Sequence, residues 1–198
     1  MTGVAATAVA VPLSLGGLAP QAHAQTGSPS PSPTATATST GGVFGPGCSS
    51  LPMTGAGSTA AMAKQRVVAA ATGNPQLSTL VAYVDRAHLA NTLDTADNVT
   101  LFAPTNAAWN KLSSTQRANL ANNPTQLKKV LTYHVVNQHI TKADLPHGSF
   151  TTLEGSKLTT SGSGSTFKVN NTATIECGNI PTVNATVYLV NTVLMPPG

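Results

Sequence analysis

No charged side chain occurs before Lys64 in this 198-residue chain. A soluble domain surfaces itself with Lys, Arg, Asp and Glu, so the part that can fold into ordinary helices and sheets has to lie mostly downstream of that point. The uncharged stretch itself divides by composition. Residues 4–19 are mostly Ala, Val, Leu and Gly, and Ala22-His23-Ala24 precedes Gln25. An apolar run closed by a small-x-small site is the pattern of a secretory leader, so residues 1–24 are expected to be a signal peptide, although no basic residue precedes the run. Pro12, Ser14 and Gly16-Gly17 interrupt it, against a membrane anchor, which wants about 20 unbroken apolar residues. Residues 25–47 follow as a Ser/Thr/Pro-rich segment with Ser-Pro repeated from Ser28 to Pro33. Such a segment has too little apolar surface to offset the entropy of ordering it, so a flexible linker is expected, one suited to O-linked sugars.

Charge decides more than the domain limits. Only 8% of the chain is charged, against about a quarter in an average soluble domain, and the net charge is +4. Coiled coils and nucleic-acid binders are excluded, the latter because phosphate neutralisation needs dense Lys and Arg. No nucleic-acid partner, and no stable membrane insertion once a leader is removed, is expected. Two cysteines remain, Cys48 and Cys177. In an exported protein they read as a disulfide, the alternative being two separate buried thiols. A lipid anchor on Cys48 is disfavoured because Gly45-Pro46-Gly47 precedes it.

Residues 48–198 have the length of one domain, and no repeat divides them. Their first half carries helical signals. An Ala-rich run over 64–72 stops at Gly73, and Asn74-Pro75 offers an N-cap followed by Pro at the first helical position. Leu77, Leu80, Val81, Val84 and His88 then share one helix face. Asn123-Pro124 is a second start, followed by Leu127, Val130 and Leu131 on one face. Short β-type runs dominate from Phe150: 150–153, 157–160, 166–169, 173–177 and 186–194, with Ser161-Gly162-Ser163-Gly164-Ser165 as a hairpin-like loop. The last run is apolar on both faces at its start, which predicts a central, covered strand. An earlier strand over 99–102 ends at Ala103-Pro104. The class is α+β, mainly antiparallel, with helices concentrated in the first half.

There is no G-x-S-x-G elbow, H-E-x-x-H, C-x-x-C or phosphate-binding loop. Gly55-Ala56-Gly57-Ser58-Thr59-Ala60 imitates a dinucleotide fingerprint but lacks a strand before it. His134, His139 and His147 lie near Asp144, a set that could hold zinc. His134, however, sits among apolar neighbours and is expected to be buried, neutral and hydrogen-bonded to backbone, with His139 and His147 in loops. The six carboxylates show no paired spacing on a helix face; Asp94 and Asp97 fall in the loop before the first strand. No cofactor, metal or catalytic residue is expected.

Three segments carry a resemblance. Thr100-Leu101-Phe102-Ala103-Pro104-Thr105-Asn106-Ala107-Ala108-Trp109 is similar to the first signature of fasciclin domains, Leu131-Thr132-Tyr133-His134-Val135-Val136 to their Tyr-His motif, and Val187 through Pro197 to their C-terminal signature. Gly45-Pro46-Gly47-Cys48, its pairing with Cys177 and the closing Leu-Met-Pro-Pro further resemble the secreted single-domain fasciclin antigens of actinobacteria. The resemblance implies a β-sandwich-like wedge with helices at one side, extracellular or associated with the cell envelope. It implies a non-enzymatic adhesion module whose partner is a cell-surface or extracellular-matrix protein or a glycan. A carrier of a small apolar or glycan ligand is the second reading. In structural terms Pro104 ends a strand, Thr105 or Asn106 caps the next helix, Trp109 turns to the core, and Tyr133 and His134 tie a helix end to the sheet. Where family members linked to integrin-type adhesion often carry Asp, this chain has Asn191.

Overall fold

The computed structural model describes residues 42–197. The leader expected at 1–24, and the linker up to residue 41, lie outside the described residues. Helices come first: α1 (Thr59–Met62), α2 (Val67–Thr72), α3 (Ser78–Arg86), α4 (Ala90–Thr95), α5 (Asn106–Asn110), α6 (Ser114–Asn122) and α7 (Pro124–Tyr133), with the single strand β1 (Val99–Pro104) between α4 and α5. Six strands follow: β2 (Val135–Val136), β3 (Ser149–Thr151), β4 (Lys157–Ser163), β5 (Thr166–Val169), β6 (Ala173–Pro181) and β7 (Ala185–Val190). Both Asn-Pro starts work as their chemistry predicts. The Asn74 side chain accepts from Gln76 N at the head of a 3₁₀ turn, Pro75–Leu77, that leads into α3. The Asn123 side chain accepts from Gln126 N at the start of α7.

Two helical expectations are corrected. The run over 64–72 is not one helix, because α2 begins only at Val67. The break is set from a distance: Val67 N donates to Asn184 Oδ1 (3.0 Å) and Val68 N to Asp94 Oδ1 (3.2 Å), so the first turn of α2 is capped by residues far away in sequence. Asp94 belongs to α4 rather than to a loop. His88 does not share the buried face of Leu77, Leu80 and Val84; it lies beyond the end of α3, exposed, with φ 54°.

The strands form one sheet in the order β2-β1-β7-β6-β5-β4-β3. All neighbours are antiparallel except β1 and β7, which run parallel from Val99↔Ala185 to Pro104↔Val190. The two outer strands approach each other. Val136 bridges Thr152, and Leu153 N donates to Val135 O (2.7 Å), so the sheet curls into a nearly closed wedge and few strand-edge groups are left unpaired. β6 runs four residues past Cys177, and β7 stops at Val190, where Asn191 turns the chain away; these differ from the expected 173–177 and 186–194.

The central strands are buried on both faces, as the apolar last run requires. Alternation sends Leu101, Ala103, Val187 and Leu189 to the helix side, where they pack with Leu80, Trp109, Leu127 and Val130. Phe102, Tyr188 and Val190 point into the wedge, with Phe150, Phe167 and Ile175. Phe44, assigned to the linker by composition, is buried in this second core and stacks edge-on against Phe167 and Tyr188. Packing therefore reaches back before Cys48. A single aromatic in a Gly/Pro context gives composition no signal of this.

Candidate functional site

The β1–α5 junction holds the first group of candidate residues. Pro104 has no N–H to extend the ladder, and Thr105 N makes the last bond, to Val190 O (3.1 Å). Thr105 occupies the N-cap position of α5 without capping it; its hydroxyl donates instead to Glu176 Oε2 on β6 (3.4 Å). Asn106 caps a different helix from the one expected. Its Oδ1 accepts from Thr79 N (3.0 Å) and Ser78 Oγ (3.3 Å), while its Nδ2 donates to Pro75 O (2.9 Å). It thus closes the open start of α3, where Leu77 at the N-cap position offers no side-chain acceptor. Sequence spacing shows only local caps, which is why this role is invisible there. Trp109 is buried against Tyr83, with ring centroids 4.6 Å apart.

The second group pins the end of α7. His134 is 0% exposed. Leu194 N donates to its Nε2 (3.0 Å), so Nε2 is the acceptor and the proton resides on Nδ1, which donates to Val130 O (2.7 Å). Its own carbonyl accepts from Phe102 N (2.8 Å). One imidazole therefore joins α7, β1 and the C-terminal segment, and the arrangement works only for the neutral ring. Burial holds the pKa down at about 4, partly offset by the Val130 carbonyl. Tyr133 Oη donates to Lys157 O (3.1 Å) and accepts from Asn170 Nδ2 (2.7 Å), tying the same helix end to β4.

No metal set forms around these histidines: among the described residues no group of three or more His, Cys, Asp and Glu is placed to hold an ion. His139 and His147 are exposed. Asp144 is turned to its own loop, where Oδ2 accepts from Thr141 N (2.8 Å) and Thr141 Oγ1 (2.6 Å); those bonds keep its carboxyl below the usual range.

Cys48 and Cys177 are joined by a disulfide. The 3₁₀ turn Pro46–Ser50 that carries Cys48 lies directly against β6. Gly45 permits this approach: its φ is 114°, and a Cβ there would stand 2.4 Å from Glu176 O. Asn191 is occupied internally, its Oδ1 accepting from Thr174 N (2.9 Å) and Thr192 Oγ1 (3.0 Å). The structure thus brings Thr105, Asn106 and the disulfide turn to one surface cleft with Glu176. Tyr133 and His134 are buried in a separate network, and Asn191 stands by itself beside β6. Two residues that matter had no motif to mark them. Asn184, buried, links α2 to the end of α4 by donating to Leu93 O (2.9 Å) and Ala96 O (2.7 Å). Glu176 was legible only as a lone carboxylate within a β-type run.

The fasciclin domain model matches residues 75–196. The immunogenic protein MPB70 of Mycobacterium bovis is 39% identical over 165 residues, 79% of this chain and 84% of the relative. The cell surface glycolipoprotein MPB83 of the same species is 39% identical over 163 residues, 78% of this chain and 73% of the relative. Protein sll1483 of Synechocystis is 36% identical over 133 residues, 66% of this chain and 73% of the relative. Among solved structures, the FAS1 domain pair of the insect cell adhesion molecule Fasciclin I matches with a TM-score of 0.56 at 14% identity, a likeness of fold alone. That match covers 68% of this chain, which spans about half of the pair, 52%. With its signatures in order, its helices ahead of a nearly closed sheet, the family model matched over residues 75–196 and relatives at 36% and 39% identity, the chain belongs to the fasciclin domain family.

Proposed function

We propose that this protein is an exported, non-enzymatic adhesion module that docks on a cell-surface or extracellular-matrix protein or glycan. Its leader would be residues 1–24 and its tether the Ser/Thr/Pro-rich residues that follow, with the folded module extending from Phe44 rather than from Cys48. The observation that carries this reading is family membership combined with the use made of the signature residues. His134, Tyr133, Asn106 and Asn191 are consumed in internal bonds, which leaves recognition to the outer surface of a rigid module. On that surface exposed Thr, Asn and Ser outnumber the charged residues, so contacts made by hydrogen bonding would persist at physiological salt. No helix among the described residues is long and apolar enough to cross a membrane.

Carriage of an apolar ligand is the weaker reading. The apolar space between the helices α2, α3, α4 and the strand β1, where a pocket between sheet and helices would lie, is lined by Val67, Leu80, Val84 and Leu101 and has a volume of about 10 Å³. Small-molecule sites need roughly 300 Å³ or more. The adhesion reading is tested by coating surfaces with the protein: cells should attach to the folded protein and not to protein that has been reduced, alkylated and unfolded. Equal attachment to both, or to neither, would refute it.

A further inference from the structure

The cleft beside the β1–α5 junction has a volume of about 380 Å³, and its walls come from four stretches far apart in sequence. Ser50 stands on the disulfide turn, Pro75 and Gln76 on the turn before α3, Thr105 and Ala107 at the head of α5, and Glu176 on β6. Glu176 occupies a β-bulge. The register runs from Ile175↔Val190 directly to Cys177↔Leu189, so Glu176 is the extra residue with no partner across the ladder. Bulges of this kind re-aim a side chain and are over-represented beside functional sites. The backbone of Glu176 is fixed on both sides. Its neighbour Cys177 is bonded to Cys48, and Gly45 packs on its carbonyl.

The carboxylate has no cation to balance it. The one ion pair among the described residues joins Lys129 to Glu154 elsewhere, and the polar contact of Glu176 is the Thr105 hydroxyl. The other polar groups of the cleft both donate and accept: the Ser50 hydroxyl can do either, and the head of α5 is left without a side-chain cap. The Asn106 amide is already engaged at both ends. Gln76 Nε2 donates to Ser50 O (2.9 Å), which leaves Gln76 Oε1 open. A cleft with a single unbalanced carboxylate beside groups that both donate and accept favours a ligand that carries a positive charge together with hydroxyls. The net charge of +4 sharpens this, since the chain as a whole repels cations and any attraction must be local.

We propose that this cleft binds amino-sugar units of a surface glycan. Glu176 receives the sugar ammonium, Gln76 Oε1 and the Ser50 hydroxyl receive ring hydroxyls, and Pro75 and Ala107 supply apolar contact to the ring. A lysine side chain from a protein would use the carboxylate and leave the remaining polar groups without a ligand partner, so the hydroxylated ring is the better match. The inference rests on the surface-interaction reading above.

The test is a titration of the isotopically labelled protein, followed by NMR, with a β-1,4-linked glucosamine trisaccharide at physiological salt. The N-acetylated trisaccharide and acetyl-lysine-amide serve as comparisons. Saturable binding is expected, with shifts at Ser50, Gln76, Thr105 and Glu176. The N-acetylated sugar, which has lost the charge, should bind about tenfold more weakly or worse, and so should acetyl-lysine-amide. Glu176→Gln keeps the shape and should also lose about tenfold, with an unchanged melting temperature; Gln76→Ala should lose several-fold. Absence of saturable binding, equal affinity for the N-acetylated sugar, or an unaffected Glu176→Gln variant would overturn the proposal. Lysine amide binding as tightly as the trisaccharide would reassign the cleft to a protein amine and overturn it too. Cell attachment that persists in Glu176→Gln, without glucosamine binding, sinks the cleft assignment alone; failure of the folded wild-type protein to attach sinks the reading on which it rests.

Discussion

Acid should weaken this fold through one side chain before any carboxylate titrates. His134 is neutral in the folded state because burial disfavours the charged ring, which holds its pKa at about 4 against 6.5 in an unfolded chain, and Leu194 N donates to the neutral Nε2. Above pH 6.5 both states are neutral and the full contribution is present. As the pH falls from 6.5 toward 4 the unfolded chain takes up a proton that the folded chain refuses, so stability falls by about 1.4 kcal/mol per unit. The loss is about 3 kcal/mol by pH 4, a large share of the 5 to 15 kcal/mol typical of a domain. Below that the folded ring also protonates, and Leu194 N loses its acceptor. Asp144 and Glu154 are stabilised as carboxylates, and their contribution is lost only as the pH falls below the ordinary carboxylate range, so the interval from 6.5 to about 4.5 isolates the histidine. The assay is urea unfolding of the wild type and His134→Gln at several pH values from 7.5 to 4.5. The variant should be less stable at pH 7.5 but nearly flat across the interval, while the wild type slopes. A wild-type curve that is flat, or a variant with the same slope, would refute the reasoning.

Three further outcomes are expected. Replacing both Cys48 and Cys177 by Ser should cost about 4 to 5 kcal/mol in denaturant unfolding, the loop-entropy value for a cross-link that spans 129 residues; a change below about 1 kcal/mol would show that the disulfide does not constrain the unfolded chain. Gly45→Ala places a Cβ 2.4 Å from Glu176 O at a φ of 114° and should cost about 2 kcal/mol or more, with slower disulfide formation during refolding. Asn106→Ala uncaps α3 rather than α5, so a loss of about 1 to 2 kcal/mol should be accompanied by faster amide exchange at Thr79 and not at the first turn of α5.

What could be read from the sequence was whatever is encoded locally. The Asn-Pro starts, the apolar faces of α3 and α7, and the covered last strand follow from short-range chemistry, and each stands where its residues put it. His134 was readable as a buried neutral ring because its flanks are apolar. The missed features are those whose cause lies elsewhere in the chain. The start of α2 is written in Asn184 and Asp94, the start of α3 in Asn106, and the ordering of Phe44 in Phe167 and Tyr188. Short β2 is held by its pairing with β1 and by the closure of the sheet, not by any run of its own. Glu176 gains its significance from a bulge, and a bulge is a relation between two strands.

The most direct test of the surface-interaction account is a binding isotherm of the purified protein on intact cells or matrix at about 50 and about 150 mM salt. Saturable binding is expected with a midpoint that shifts little between the two conditions, because uncharged hydrogen-bonding residues outnumber charged ones on the exposed surface. No saturable binding at either salt would contradict the assignment, and binding that collapses at the higher salt would show that the ten Lys and Arg govern recognition instead.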